Sequence, residues 1–500
     1  MVPRRQIFIS SDWHLGGDVD VAVDGNVAEL GTSIFRSTLA LTTFLDSIGE
    51  AAKAFDGITE VVINGDMVDF LAPDQDGTYN PIAWQNDSRV IRAQLDNIAN
   101  RFELPDGRGP FKSLRTLVDI GCELTVILGN HDLELCLPGV RRHFERLCAG
   151  DNGKIRFIYD GEAYTRGKLL IEHGNQYDPF NAVDYNLLRQ ERSHLSRGFV
   201  VDDAERGERF FDPPPGSSIV VDIVNPTIRE APFLNLLKPE VDAAVPLLLA
   251  FYPETRPFFE AAFRRGWKLF RKTIRNNKES NPALMAAGEQ SPYRSLNDFL
   301  RDTMGNDAEP FLSPPSRSGQ LSDTPDAHGS LMRTLSEQAS RAIDLTCPWK
   351  IYDNLKASMD EGRMNLVRLA LKRVRDADSF DRKTESERYL APSRKMTEYG
   401  GYDVVIFGHT HFPKDIELPH GRYINAGTWA DVLRLPSGIS SDNAATANLS
   451  IEKFLNDMKS KNYTDYTIRN PSFVHAVVEP DGSVDAKLKT ADNKGEVIGG

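Results

Sequence analysis

Cysteine is scarce in this chain: four residues in 500, Cys122, Cys136, Cys148 and Cys347, scattered and with no C-x-x-C pair. That excludes a disulfide-dense scaffold and points to a reducing, cytoplasmic setting. Long apolar runs are also missing. The most apolar later stretch, "AAVPLLLAFY" from Ala243 to Tyr252, is too short to cross a bilayer and contains a proline. The opening "MVPRRQIFISSDWHL" lacks the long apolar stretch and small-residue cleavage site of a secretory signal. Basic charge is not in excess either. The net charge is −13 and the pI about 5.4, so long-range attraction to nucleic acid or anionic lipid is disfavoured unless a local basic patch overrides it. No internal repeat is present. What remains, with 40% apolar and 26% charged residues, is an ordinary globular chain. It is long enough for several domains or for one core with a large insertion.

The first part alternates strand-like and helix-like segments. "QIFIS" precedes a helical stretch from Ser37 to Phe55. "ITEVVIN" precedes another from Ser88 to Phe102, and "CELTVIL" a third from Leu133 to Leu147. Strands follow at "KIRFIY" and "KLLIEH", and after Gly400 at "YDVVIFG", "RYIN", "FVHAVVE" and "VDAKLK". Such alternation argues for an α/β layered fold. Between about Val183 and Lys395 the texture is mainly helical, punctuated by "DPPPGSS", "YPETRP" and a loop-like stretch from Ser313 to Ser330. The expected organisation is a core over 1–182 and 396–500, interrupted by a helical insertion or cap over 183–395.

Polar residues recur where the apolar strands end. "FISSDWHLGG" supplies Asp12 and His14, "VVINGDMVDF" Asp66 and Asp69, and "VILGNHD" Asn130, His131 and Asp132. "LLIEHGN" supplies His173, and "VVIFGHTHF" His409 and His411. Carboxylates, imidazoles and an amide oxygen suit divalent first-row metals. In extended chain the i, i+2 pairs of D-x-H and H-x-H would aim both side chains to one face. Each fragment alone also has a plain structural reading. Asp12 could be a turn residue, G-D-x-x-D a type I turn with a helix cap, His173 a satisfied histidine, and Asn130 or Asp132 a cap for the helix after it. Five fragments in this order, each after an apolar strand, favour a metal site.

Together they resemble the signature of the calcineurin-like metallophosphoesterase superfamily: D-x-H, G-D-x-x-D, G-N-H-D/E, a lone His and G-H-x-H. The resemblance covers residues 1 to about 180 and Tyr402 to Trp429. It implies a four-layer α/β/β/α sandwich around two divalent metal ions. It also implies that Asp12, His14 and His411 bind one ion, that Asn130, His173 and His409 bind the other, and that Asp66 bridges both. His131 would not ligate but would meet the substrate phosphate or leaving group. Asp69, by analogy with the Ser/Thr phosphatases, would pair with His131 and hold it charged, the alternative being a turn hydrogen bond. Asp132 would support the ligands or cap a helix. The implied reaction is hydrolysis of a phosphodiester or pyrophosphate by a hydroxide shared between the ions, with His131 as acid. A mixed nitrogen and oxygen donor set accepts Mn, Fe or Zn, of which Mn is favoured.

Departures from the pattern narrow the class. Phosphoprotein phosphatases usually follow G-D-x-V-D with Arg-Gly, whereas Phe70 and Leu71 follow here. "SDWHLG" and "GNHD" look like the double-strand-break repair exonucleases, which place their extra domain after G-H-x-H rather than before it. "HGNQYDPFN" and "RYINAGTW" are closer to bacterial enzymes similar to UDP-2,3-diacylglucosamine pyrophosphatase. Those usually carry Arg in place of His131 and a shorter insertion. The expected substrate is therefore a small-molecule or lipid-linked phosphoester, with a nuclease and a non-catalytic scaffold acting through the insertion as alternatives. Tyr177, Asp178, Asn181 and His194 are candidates to line the pocket. In the insertion, Phe263, Trp267, Phe270 and Ile274 fall on one helical face from Phe263 to Lys278. Arg264, Arg265, Lys268, Arg271, Lys272, Arg275 and Lys278 fill the rest. That face either meets an anionic substrate or a membrane surface, or is simply the solvated side of a buried helix, and the second reading is favoured.

Overall fold

The structure is a computed structural model that describes residues 2–19, 21–23, 26–29, 31–74, 77–150, 155–198, 211–228, 232–238, 240–251, 253–277, 295–312, 361–376, 380–460, 462–463, 465–492 and 497–498. In chain order the strands are β1 (Arg5–Ser10), the hairpin β2 (Val21–Val23) and β3 (Asn26–Glu29), β4 (Ile58–Asn64), β5 (Glu123–Ile127) and β6 (Ile155–Ile158). Then come β7 (Tyr164–Arg166), β8 (Leu169–Ile171), β9 (Val404–Phe407), β10 (Lys414–Leu418), β11 (Gly421–Asn425) and β12 (Val432–Leu433). The last are β13 (Thr467–Ile468), β14 (Ser472–Val478), β15 (Val484–Ala491) and β16 (Val497–Ile498).

Two mixed sheets carry the α/β fold. One has the order β16-β15-β14-β1-β4-β5-β6, the other β10-β11-β9-β8-β7. In the first, β1, β4, β5 and β6 run parallel, and β14 joins β1 antiparallel. In the second, β8, β9 and β11 run parallel between antiparallel edges. Strand alternation sends Phe8, Val61, Ile63 and Val126 to one face, where Leu41, Phe44, Ile91 and Leu114 cover them. These come from the helices α1 (Thr38–Ala54), α2 (Ser88–Arg101) and α3 (Pro110–Asp119). The other face offers Ile7, Ile9 and Val62 to Leu169, Ile171 and Ile406 of the second sheet. The far side of that sheet, Leu170, Val405 and Phe407, is closed by Tyr389 and Met396 of the helix Glu387–Gly400.

The single helix expected from Leu133 to Leu147 is two elements: a 3-10 turn over Leu133–Cys136 and the helix α4 (Pro138–Ala149). Pro138 is the reason, since its ring fits a helix start but not an interior. Between β8 and β9 the described elements are helical. The first, α5 (Tyr185–Leu195), leans on the core through Leu188. Most of the others, but not the helix Glu387–Gly400, gather around a separate apolar cluster that includes Phe233, Leu248, Phe259, Phe263 and Phe299. The helix Ala444–Lys459 feeds Ile451, Phe454, Leu455 and Met458 into this same cluster. Those positions form one helical stripe, packed on Phe233 of the insertion and on Tyr466.

The stretch Ser313 to Ser330 lies outside the described residues, as do Cys347 and Lys278. The basic segment is part of the helix Arg256–Asn277, which buries Phe263 and leaves Arg264, Lys268 and Arg271 exposed. Its Phe270, Ile274, Arg265, Lys272 and Arg275 side chains fall outside what is described. Among the described residues, no helix is long and apolar enough to cross a membrane.

Candidate metal centre

The polar residues singled out at strand ends meet at one place. Asp12 and His14 follow β1, Asp66 and Asp69 follow β4, Asn130 and His131 follow β5, His173 follows β8, and His409 and His411 follow β9. In parallel strands the carboxyl ends share one rim, so side chains distant in sequence are gathered there. All but His409, which is slightly more open, are buried.

The backbone that aims them is not extended. Asp12, His14, Asp66, His409 and His411 have φ of 55°, 51°, 52°, 70° and 66°, and they are the non-glycine residues with positive φ among those described. The i, i+2 pairs therefore converge through left-handed turns, and the extended D-x-H and H-x-H expected from spacing are corrected. Each such residue costs about 1–3 kcal/mol and persists only where its surroundings over-determine it. Here the surroundings do so: Asp12 N–H donates to Gly65 O (3.1 Å), His14 N–H to Asp66 O (2.9 Å), and His409 N–H to Asp12 Oδ2 (3.0 Å). Gly129 serves close approach rather than a left-handed turn, because a Cβ there would stand 2.0 Å from Asp66 Oδ1.

Asp12, His14 and His411 form one set, with donor atoms within 4.8 Å of one another, and Asp66, His173 and His409 form a second. His14 Nε2 and His411 Nε2 face each other at 3.2 Å. Two imidazole nitrogens bonded to one ion at about 2.0–2.1 Å would show roughly that separation. Asp66 stands between the sets, its Oδ2 3.2 Å from His173 Nε2 and 3.8 Å from His14 Nε2. Buried Asp12 Oδ1, Asn130 Oδ1 and His173 Nε2 make no hydrogen bond. Leaving three such atoms unpaired is costly, and bound cations would satisfy them. The buried His and Asp groups could thus hold metal ions.

The second ring nitrogen of each histidine reinforces this. His173 Nδ1 lies 2.7 Å from the Asn64 carbonyl, which only accepts, so Nδ1 carries a proton and Nε2 is the ring nitrogen left for a metal. His14 Nδ1 faces Asp69 Oδ2 (3.1 Å), and His409 Nε2 faces Asp178 Oδ2 (3.1 Å). Partners of this kind fix the tautomer and orientation of ligating histidines.

A third set, His14, Asp69 and His131, is as tightly grouped. It is a hydrogen-bonded unit, because both imidazoles turn Nδ1 to the two oxygens of Asp69. Burial alone would raise the Asp69 carboxyl, but the charge of His131 and the bonds from His131 and His14 hold it far below the usual range. Asp66 behaves alike: burial opposes ionisation, and the neighbouring His173 and His131 charges outweigh it. Burial pushes Asp12 up. Asp132 is pushed up to about 7 by burial and by the charge of Asp66. It accepts from Gly129 N–H (2.7 Å) and Met67 N–H (2.9 Å), stitching two ligand loops together, and its side chain caps no helix.

Of the four residues suggested for the pocket, Asp178 and Asn181 reach the centre. Tyr177 stacks on Phe407 and donates to Glu172 (2.6 Å), away from the donors. His194 lies in the last turn of α5 and belongs to none of the donor sets. Two cations of the insertion also bear on the centre and carry no motif that would reveal them. Lys238 is buried, and its charge, after burial itself, helps push His411 well below its usual range. Arg388 lies close enough for its charge to favour ionised Asp178. Comparison with protein-family models, curated proteins and solved structures returns no match for this chain.

Proposed function

We propose that the chain is a two-metal phosphohydrolase of the calcineurin-like kind, acting on a phosphodiester or pyrophosphate that is small or lipid-linked. In this reading the two sheets and their outer helices are the four layers of an α/β/β/α sandwich. Asp12, His14 and His411 hold one divalent ion, Asn130, His173 and His409 hold another, and Asp66 joins them. Mn is the favoured metal, since imidazole with carboxylate and amide oxygen is a mixed, moderately hard donor set. The buried free thiols of Cys122, Cys136 and Cys148 agree with a reducing compartment.

One observation carries the reading. Beside two buried donor sets joined by Asp66 stands His131, a histidine outside both sets, held through Nδ1 by an ionised carboxylate. A site that only stores metal has no use for it. When bound, the ions would neutralise phosphate oxygens and make a water nucleophilic near neutral pH. His131 does the complementary work. With Nδ1–H bonded to Asp69, its Nε2 can carry a proton to the leaving oxygen, and the Asp69 carboxylate stabilises the charged imidazolium until it does. Lys238 and Arg388 bring positive charge from the insertion, which suits an anionic substrate.

The test is hydrolysis of bis-p-nitrophenyl phosphate beside p-nitrophenyl phosphate, with Mn²⁺ supplied and His131→Ala as control. Diester cleavage that vanishes in the variant while bound metal is retained is the expected result. Equal turnover in His131→Ala, or a wild-type protein that takes up no divalent metal, overturns the reading; cleavage of single-stranded DNA with steep salt dependence would turn it toward a nuclease.

A further inference from the structure

The turn from Asp178 to Asn181 lies between the second donor set and the apolar core of the insertion. On its inner side, His409 Nε2 faces Asp178 Oδ2 at 3.1 Å, and Asn181 Nδ2 donates to the same oxygen at 2.8 Å. Asn130 Nδ2 then donates to Asn181 Oδ1 at 3.3 Å. The bonds run from His409 through Asp178 and Asn181 to Asn130.

The polarity of this chain is set at one point. The Asp178 carboxylate accepts from Asn181 Nδ2 at Oδ2, the same oxygen that faces His409 Nε2. His409 must therefore protonate Nε2, which leaves Nδ1 free to ligate. Asn181 must turn its NH₂ to Asp178 and its oxygen to Asn130. Asn130 must in turn donate its NH₂, which leaves Oδ1 as the atom without a hydrogen bond, buried in the centre. One acceptor thus dictates the ligating atom at both ends.

The outer side of the turn belongs to the insertion. The Phe180 ring packs on Phe263 (4.5 Å between centroids), and its carbonyl accepts from Gly216 N–H (2.8 Å). Gly216 leaves no space: a Cβ there would stand 2.3 Å from Asn181 Oδ1 and 3.1 Å from Phe180 O.

We propose that the Asp178–Asn181 turn is a positioning element through which the docked insertion sets the affinity of the second ion, by fixing the ligating atoms of His409 and Asn130. The inference rests on the two-ion reading above. The first set, Asp12, His14 and His411, makes no bond to this turn in the chain described, so the two ions respond differently to changes in it.

The experiment is metal stoichiometry of the full-length chain after exhaustive dialysis, by inductively coupled plasma mass spectrometry, with Mn²⁺ titration followed by electron paramagnetic resonance. Asn181→Ala, Asp178→Ala and Gly216→Ala are compared with wild type, and thermal melting checks that each is folded. Wild type with two ions and variants with one, the weaker site losing about 10–100-fold in affinity, is the expected outcome. Gly216→Ala is the most telling, since it touches no ligand. Two ions at wild-type affinity in Asn181→Ala overturns the inference and leaves the phosphohydrolase reading standing. Loss of both ions from Asn181→Ala at unchanged melting temperature also overturns it. A wild type without bound metal fails the underlying reading itself.

Discussion

His131 Nδ1 lies 3.0 Å from Asp69 Oδ1, while the other oxygen of the same carboxylate lies 3.1 Å from His14 Nδ1. The expected pairing of Asp69 with His131 is therefore half of its role. One carboxylate orients both the proposed acid and a proposed metal ligand. Asp69→Asn leaves one accepting oxygen and turns an NH₂ toward the other imidazole, so one of the two histidines takes the wrong tautomer. Turnover is expected to fall by about 10–100-fold, with a weakened first metal as a second signature. Steady-state kinetics and metal analysis on the same preparation check this, and a variant normal in both would remove Asp69 from the site.

His131→Ala and Asp66→Asn should separate chemistry from metal binding. Without the imidazole the two donor sets are intact, so metal content holds while turnover drops by about 10²–10⁴-fold, the usual contribution of a positioned acid. Asp66 stands within 3.2 Å of His173 Nε2 and 3.8 Å of His14 Nε2, and losing its charge weakens both sets at once. Metal content is expected to fall in Asp66→Asn before any assay is run. Retained stoichiometry there would take away the bridging role.

Much of this centre was legible in the sequence, because each proposed ligand loop is local: an apolar strand and then polar side chains, with a glycine directly before Asp66, Asn130 and His409. The parallel order of β1, β4 and β5 follows from the same alternation of strands and helices. What spacing cannot report is the backbone. Left-handed Asp12, His14, His409 and His411 replace the extended pairs expected from period two, since the turns are held by distant bonds such as His409 N–H to Asp12 Oδ2. Lys238 was illegible for a similar reason. It follows an unremarkable apolar segment, Pro232–Leu236, whose Asn235 Nδ2 is anchored on Thr32 O (3.0 Å), 203 positions away.

Glu134 offers a pH-dependent check on the loop that carries Asn130 and His131. It is buried, and burial raises its carboxyl to about 8, against the opposing N–H of Gln85 at 3.2 Å. Unfolded, the same group titrates near about 4.3. Between those values the folded chain keeps a proton that the unfolded chain has lost, so stability falls as pH rises through the window and levels off above it. Glu134→Gln keeps an oxygen for Gln85 and removes the ionisable group. The difference in stability between variant and wild type should grow from pH 5 to pH 8 in favour of the variant, on the order of a few kcal/mol. Denaturation curves at the two pH values measure it. A difference that does not change with pH would mean that Glu134 is ionised in the folded chain.

Lys238 tests what the insertion contributes to substrate binding. It is 5% exposed and comes from a segment packed into the core of the insertion through Leu236 and Leu237. Its charge acts on His411, the member of the first donor set that faces His14. A cation in that position attracts a substrate phosphate, and bonds to charged groups are worth about 1.5–3 kcal/mol. Lys238→Ala should therefore raise KM for a pyrophosphate diester by about 10–100-fold, with a smaller change in kcat if the contact is made equally in ground and transition states. Lys238→Arg should recover part of the loss, because the charge is restored while the reach and geometry differ. A monoester such as p-nitrophenyl phosphate, too short to engage both the centre and the insertion, should be affected least. If both substrates shift by the same factor, Lys238 acts through the donor set rather than on the substrate, and its place in recognition is lost.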